Sequence, residues 1–289
     1  MIPPVFDYHA PTTLAEAVAL LSQHRDDGKV LSGGQSLLPL LKLRLGQADH
    51  LIDIGRIPGL EYIREEGGVL KIGGRTRESA LEESELIRTR YPILLDTAKV
   101  IADPLVRNRA TVGGNLAHGD PGNDHPATMI ALGAQVVAYG PNGERVIPID
   151  QFFLGFFSTA LEPDEILTEI RVPVPPPRSG GAYVKLERKV GDYATAAAAA
   201  QVTLAANGAL ERVGLALTNV GPAPVHAVTA ERHLTGKQPD GATLAEAARL
   251  AAQAATPSAD RRGSLEYKRE MARVMAVRAL GRAVERARG

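Results

Sequence analysis

At 289 residues the chain is long enough for two domains with separate cores, and its 44% hydrophobic and 23% charged content is that of a soluble globular protein. Lys plus Arg and Asp plus Glu balance at 33 each, so no net basic field draws nucleic acid or an anionic membrane. Cysteine is absent, which excludes disulfides, thiolate zinc sites, a cysteine nucleophile and cysteine-ligated iron–sulfur clusters within this chain.

The opening MIPPVFDYHAPTT lacks the basic and apolar regions of a secretory signal, and no apolar run approaches the ~20 residues of a membrane span, so a cytoplasmic location is expected. Thr13-Leu14-Ala15-Glu16 has capping-box spacing and predicts a helix, with Leu14, Val18 and Leu21 on one face, that ends before Gly28. Lys29–Leu31 predicts a strand that runs into the loop Ser32-Gly33-Gly34-Gln35-Ser36. A helix near 37–43 and a strand at His50–Ile54 complete a small βαβ-like unit over residues 1–55.

Val69–Gly73 predicts the next strand, followed by helical patterns over 77–89 and 91–101, the loop Thr111-Val112-Gly113-Gly114-Asn115, and a helix from Asp124 to Leu132. Gln135–Tyr139, Pro141-Asn142-Gly143 and Arg145–Ile147 read as a β-hairpin, because Asn-Gly tolerates the positive φ of a tight turn. Phe152, Phe153, Phe156 and Phe157 cluster behind it, either as core packing, the weightier reading, or as a ring-stacking surface. Pro173-Val174-Pro175-Pro176-Pro177 before Gly180-Gly181 is the clearest linker and predicts a domain boundary there.

Beyond it, Ala194–Ala206 poses a conflict. Alanine favours helix, but Asn207-Gly208 and Val213–Leu217 favour a hairpin; strands are the expectation, with small side chains that let a ring or backbone lie close. Thr243-Leu244-Ala245-Glu246 has capping-box spacing before an alanine-rich helix. Ser264–Arg286 predicts a final helix, with apolar Val274, Met275, Val277, Ala279 and Val284 and arginines on a solvated face that also suits partner contact.

The two glycine pairs are the chemically suggestive stretches. Glycine lets backbone N–H groups approach a phosphate, and flanking Ser, Thr and Asn add donors; the alternative is a pair of tight turns. Neither loop reads G-x-G-x-x-G, no phosphate-binding G-x-x-x-x-G-K-[ST] occurs, and Ser36 does not sit in G-x-S-x-G, so ordinary dinucleotide, P-loop and hydrolase assignments fail. His118, Asp120, Asp124 and His125 have ligand chemistry but no metal-binding spacing, and no metal ligands are assigned. Asp124 is equally a helix cap, Tyr193 equally strand packing, and Arg107 and Arg109 either cofactor supports or surface arginines.

Three segments, SGGQSLLPLLKLRL (32–45), ATVGGNLAHGDPGNDHPA (110–127) and RKVGDYATAAAAA (188–200), together resemble the FAD-binding medium subunits of the molybdenum hydroxylase (xanthine oxidase) family, particularly those of aerobic carbon monoxide dehydrogenases. The resemblance covers nearly the whole chain. It implies an α+β fold: a two-part FAD-binding domain of the vanillyl-alcohol-oxidase-like (PCMH) type over 1–176, with subdomains about 1–55 and 56–176. A C-terminal domain of a small antiparallel sheet and a helical bundle would follow over 177–289. It implies FAD contacts at Val30, Leu31, Ser32, Gly33, Gly34, Gln35, Ser36 and Leu37, and at Thr111, Val112, Gly113, Gly114 and Asn115. Asp124 would lie near the adenosine half, Ile101 and Ala102 would touch the flavin, Leu167 and Lys185 would also contact the cofactor, and Tyr193 would stand beside the isoalloxazine.

No catalytic side chain is implied. The chain would be a cytoplasmic FAD-dependent oxidoreductase subunit that is inactive on substrate alone and binds FAD without a covalent link. A large molybdenum-binding subunit and a small [2Fe-2S] subunit would complete a dimer of heterotrimers. The departures from the carbon monoxide dehydrogenase pattern are Gln35, where histidine is usual, and His125; they bear on the substrate more than on FAD. Nicotine-, quinoline- or xanthine-type hydroxylases are the alternative complexes. A self-contained flavin oxidase and a nucleotide-binding regulatory module are the remaining readings.

Overall fold

Thr13 and Glu16 form the capping box that their spacing predicts: the Glu16 amide donates to Thr13 Oγ1 at 3.2 Å and the Thr13 amide to Glu16 Oε2 at 3.3 Å. They start the first helix of a computed structural model that describes residues 2–289. Strand β1 (Asp7–His9), α1 (Leu14–Gln23), β2 (Gly28–Leu31), α2 (Leu37–Lys42) and β3 (His50–Asp53) form the first unit. Its sheet is parallel and ordered β1-β3-β2, and α1 buries Ala17, Val18 and Leu21 with Ile52 on one face. The three-residue β1 was not foreseen, because it is too short for a period-2 pattern.

Next come β4 (Ile63–Glu66), β5 (Val69–Gly73) and six helices: α3 (Glu78–Glu83), α4 (Glu85–Arg90), α5 (Pro92–Lys99), α6 (Pro104–Arg107), α7 (Val112–Ala117) and α8 (His125–Ala131). The expected helix over 77–89 is split, because Ser84 turns to extended backbone and its hydroxyl caps α4 by accepting from the Ile87 amide. Strands β6 (Gln135–Gly140) and β7 (Gly143–Pro148) make the expected hairpin, with Gly143 at φ +92°. A two-stranded β8 (Phe153–Gly155) and β9 (Ser158–Thr159) precede β10 (Ile166–Pro173), which inserts between β5 and β6 to give an antiparallel sheet ordered β4-β5-β10-β6-β7.

The remaining chain builds an antiparallel sheet, β11 (Ser179–Leu186), β12 (Ala196–Leu204), β13 (Leu210–Thr218) and β14 (Val225–His226), followed by α9 (Val228–Leu234), α10 (Gly241–Ala254) and α11 (Leu265–Arg288). The alanine run is strand β12, as its hairpin context requires. Ala196–Ala200 are fully buried and alternate between two cores: Ala196, Ala198 and Ala200 join the α10 and α11 side, whereas Ala197 and Ala199 join the side of α5 and α8. On the two strands that flank β12, helix backbone lies close against glycines. A Cβ on Gly180 would stand 2.3 Å from the Ala283 carbonyl oxygen in α11, and one on Gly214 would stand 2.0 Å from the Ala131 oxygen at the end of α8.

Two expectations need correction. Thr243 does not cap α10: Asp240 does, accepting from the Thr243 amide at 2.8 Å, and the helix begins earlier than the Thr-x-x-Glu spacing suggests. The arginines of α11 are not all solvated, since Arg286 donates to Asp96 of α5 at 2.6 Å and to the Gly181 carbonyl at 2.5 Å, tying the last helix to the first half of the chain.

Candidate flavin cleft

β2 ends at Leu31 and delivers the chain to Ser32–Ser36, where Gly34 lies at φ +74°, a backbone region that favours glycine. Among the described residues nothing accepts a hydrogen bond from the amides of Gly33, Gly34, Gln35 or Ser36. These residues line a cleft of about 600 Å³, so four successive N–H donors are free for an anion.

The second loop works differently from the sequence expectation. Its amides are committed: Val112 donates to the Thr76 oxygen at 2.9 Å, Gly113 to Gly74 at 3.1 Å, Gly114 to Thr111 Oγ1 at 3.2 Å and Asn115 to the Thr111 oxygen at 2.9 Å. Gly113 allows close packing, for a Cβ there would stand 2.4 Å from the Gly74 oxygen. The loops meet edge to edge: a Cβ on Gly33 would stand 2.2 Å from the Arg109 oxygen, and Ser32 Oγ lies 3.1 Å from Thr111 Oγ1. Asn115 Oδ1 is buried without a partner.

Val30, Leu31, Ser32, Gly33, Gly34, Gln35, Ser36 and Leu37 line this cleft together with Thr111, Gly113, Gly114, Asn115 and Leu167. Val112 is fully buried beneath it in α7. His118 and Phe157 also line it, with ring centroids 4.9 Å apart, and burial lowers the His118 pKa against a partial offset from Asp120. Across the same loops opens a smaller cavity of about 330 Å³ bearing Arg56, Arg75, Arg77 and Arg109, of which Arg75 pairs with Glu61 at 2.9 Å.

Ile101, Ala102, Asp124, Lys185 and Tyr193 form a neighbouring group at the junction of the two halves of the chain. Lys185 Nζ donates to Asp124 Oδ2 at 2.9 Å and to the Val100 carbonyl at 3.0 Å, and the Tyr183 hydroxyl donates to Asp124 Oδ1 at 2.6 Å. Burial pushes the Asp124 carboxyl up, while the Lys185 charge and both hydrogen bonds pull it back. Ala102 holds φ +45°, and Arg107 fixes this segment by donating to the Ile101 oxygen at 3.0 Å and to Glu82 at 2.9 Å. Tyr193 is 44% exposed, and partial burial followed by the charges of Asp120 and Asp124 pushes its phenol up to about 12. Asn123 joins the group to the cleft, since its Nδ2 donates to the Asn115 oxygen at 2.8 Å.

Residues 4–175 match the family described as FAD binding domain in molybdopterin dehydrogenase, and residues 181–283 match the CO dehydrogenase flavoprotein C-terminal domain. The chain belongs to the FAD-binding subunits of molybdopterin dehydrogenases. It is 50% identical to the carbon monoxide dehydrogenase medium chain of Hydrogenophaga pseudoflava, over 98% of each chain, and 46% identical to that of Afipia carboxidovorans, over 100% of each. The solved structure of the Hydrogenophaga pseudoflava carbon monoxide dehydrogenase superposes with a TM-score of 0.97 over 99% of each chain. Quinoline 2-oxidoreductase from Pseudomonas putida 86 does so at 0.92 with 32% identity, again over 99% of each chain.

The cleft fits the flavin of a molybdopterin dehydrogenase subunit on its own chemistry: open amides and hydroxyls for a diphosphate, arginines beside them, an unpaired Asn115 Oδ1 and apolar walls. Asp124 makes no side-chain cap for α8, so the capping alternative falls. The quartet considered for a metal turns to separate partners: His125 to Glu78 at 2.7 Å, Asp120 to the Gly122 amide at 2.8 Å, Asp124 to Lys185, and His118 to Phe157. The phenylalanines divide, with Phe152 fully buried but Phe156 and Phe157 67% and 43% exposed. Phe157 follows the lighter of the two readings of the phenylalanine cluster, an exposed ring rather than core, whereas sequence reasoning missed Asn123 and the Arg56, Arg75 and Arg77 face. Only fold topology brings them to the loops, as it brings Gly191 against the strained Ala102.

Proposed function

We propose that this chain is the FAD-carrying medium subunit of a carbon monoxide-oxidising molybdenum complex. The observation that carries the reading is the run of free amides at Gly33–Ser36, facing the hydroxyl of Thr111 across the cleft. Bound FAD supplies reversible one- and two-electron chemistry. The protein's own share is binding and orientation. Gly33–Ser36 hold the diphosphate with their N–H groups, Ser32 and Thr111 add hydroxyls, and Arg56, Arg77 and Arg109 balance its charge.

Asp124 belongs with the isoalloxazine end rather than the adenosine end, because its carboxylate shares Lys185 with the Val100 carbonyl next to Ile101 and Ala102. One cluster does not reach both ends of an extended dinucleotide. Lys185 and Tyr193 fall in that same group, with Leu167 on the cleft wall. The domain division near residue 176, the cytoplasmic location, and a dimer of heterotrimers with a large molybdenum-binding and a small iron–sulfur subunit are parts of the same proposal. Identities of 50% and 46% to carbon monoxide dehydrogenase medium chains favour carbon monoxide. The 38% identity to a 6-hydroxypseudooxynicotine dehydrogenase subunit of Paenarthrobacter nicotinovorans keeps an N-heteroaromatic substrate as the second reading.

Anaerobic reconstitution tests this. The chain loaded with FAD alone should keep its oxidised spectrum under carbon monoxide, and adding the large and small subunits should bleach it. Bleaching of the isolated chain would favour a self-contained oxidase; failure to take up flavin would leave only a regulatory role.

A further inference from the structure

Away from the cleft, three histidines from three different elements converge at the other end of the parallel sheet. His9 ends β1, His50 begins β3, and His24 follows the last turn of α1. The register pairs Asp7 with His50 and His9 with Ile52, so His9 and His50 share the sheet face that α1 covers. His9 Nε2 lies 3.1 Å from His50 Nδ1, and the His24 and His50 ring centroids are 3.5 Å apart. One ring nitrogen from each residue falls within 4.8 Å of the other two, and all three side chains are half-buried. Gly28 permits the convergence, because a Cβ there would stand 2.6 Å from the His24 carbonyl oxygen.

We propose that His9, His24 and His50 bind a divalent metal ion of the zinc class. Imidazole is a ligand for zinc, copper and nickel, and zinc–nitrogen bonds of about 2.1 Å place tetrahedral ligand atoms roughly 3.4 Å apart. The rings stack here, so an ion is taken up as they turn until each offers a nitrogen at that spacing. His50 also has the flank typical of a ligating histidine: Nδ1 faces His9 while Nε2 faces Asp27 Oδ2 at 4.0 Å. Asp7 Oδ2, 3.8 Å from His50 Nδ1, is placed to complete the coordination, alone or through water. The carbonyl end of α1 carries no basic residue in its last turn and favours a cation beside His24.

Such an ion clips β1, α1 and β3 together. It lies at the far end of β2 from the Ser32–Ser36 loop, about four residues or ~13 Å along the strand, so it acts on stability without touching FAD.

The test uses untagged, FAD-loaded protein stripped with a chelator and then titrated with zinc by calorimetry and with cobalt by visible absorption. One equivalent should bind per chain, with intense d–d bands of four-coordinate cobalt and a higher melting temperature. His24→Gln should weaken binding at least about tenfold, and His9→Gln/His24→Gln/His50→Gln should abolish it, with the flavin spectrum unchanged as the check on folding. Absence of a stoichiometric binding step in the wild-type protein, or an equal step in a folded triple variant, overturns the proposal and leaves a stack of rings. Should the triple variant not fold, the wild-type cobalt spectrum and His24→Gln decide the matter.

Discussion

Lys185 Nζ, almost wholly buried, stands 2.9 Å from the equally buried Asp124 Oδ2, so strand β11 and the start of helix α8 are joined by one desolvated ion pair. Removing one partner strands the other charge. Lys185→Met should therefore cost about 3–5 kcal/mol in denaturant unfolding, whereas Lys185→Met combined with Asp124→Leu should recover most of that loss. Strictly additive losses would mean that the pair is not coupled.

The two glycine loops should respond differently to substitution. Gly34→Val forces a β-branched residue to φ +74° beside the free amides, and the expected product is folded but colourless protein. Gly113→Val drives a side chain into the Gly74 backbone and should lower soluble yield and melting temperature first. Circular dichroism and the ratio of flavin to protein absorbance separate the two; full flavin content in Gly34→Val would remove the phosphate role of the first loop.

Tyr193 is too exposed to be a core residue, so Tyr193→Ala should shift stability by no more than roughly 0.5–1 kcal/mol. Flavin potential or the rate of reoxidation by dyes should change instead. A large drop in melting temperature with an unaltered potential would return Tyr193 to a packing role.

His118 gives the cleft a pH signature. Burial holds its pKa below the unfolded value of 6.5, so near pH 6 the unfolded chain binds more protons than the folded one. Its contribution to stability is complete above pH 6.5 and falls away as pH drops toward the lower folded value. His118→Gln should flatten this part of the stability profile relative to wild type; parallel profiles would rule out His118 as the source.

FAD should be released by acid precipitation, leaving a colourless pellet, because the chain has no cysteine for a thioether. A yellow pellet would reveal a covalent bond to another side chain.

The legible parts of the fold were those governed by local rules: the Thr13–Glu16 box, the Asn142-Gly143 hairpin and the final helix after Ser264 each formed where the sequence pattern placed them. The strand state of Ala196–Leu204 was readable only by weighing the following turn above alanine's propensity. The glycine loops stood out in the sequence, but the hydrogen bonds that already hold the second loop's amides did not, since only the fold brings Gly74 and Thr76 beside Val112 and Gly113. Asp240 outcompeted Thr243 for the α10 cap because it lies three residues ahead with a stronger acceptor. The histidine trio had no local signal at all; only the pairing of β1 with β3 brings His9 to His50.

Strand β12 sets a gauge for the whole molecule. With α11 behind Ala196, Ala198 and Ala200, and α5 and α8 in front of Ala197 and Ala199, the layers are separated by single methyl groups. Enlarging a front-face alanine adds volume to a fully buried layer packed against α5 and α8, and the added bulk presses the layers apart. The displacement would reach the Lys185–Asp124 contact on the neighbouring strand and the flavin-end group around it. A valine at Ala197, directly across the ladder from Lys185, is thus a means of tuning how tightly the two halves grip the cofactor.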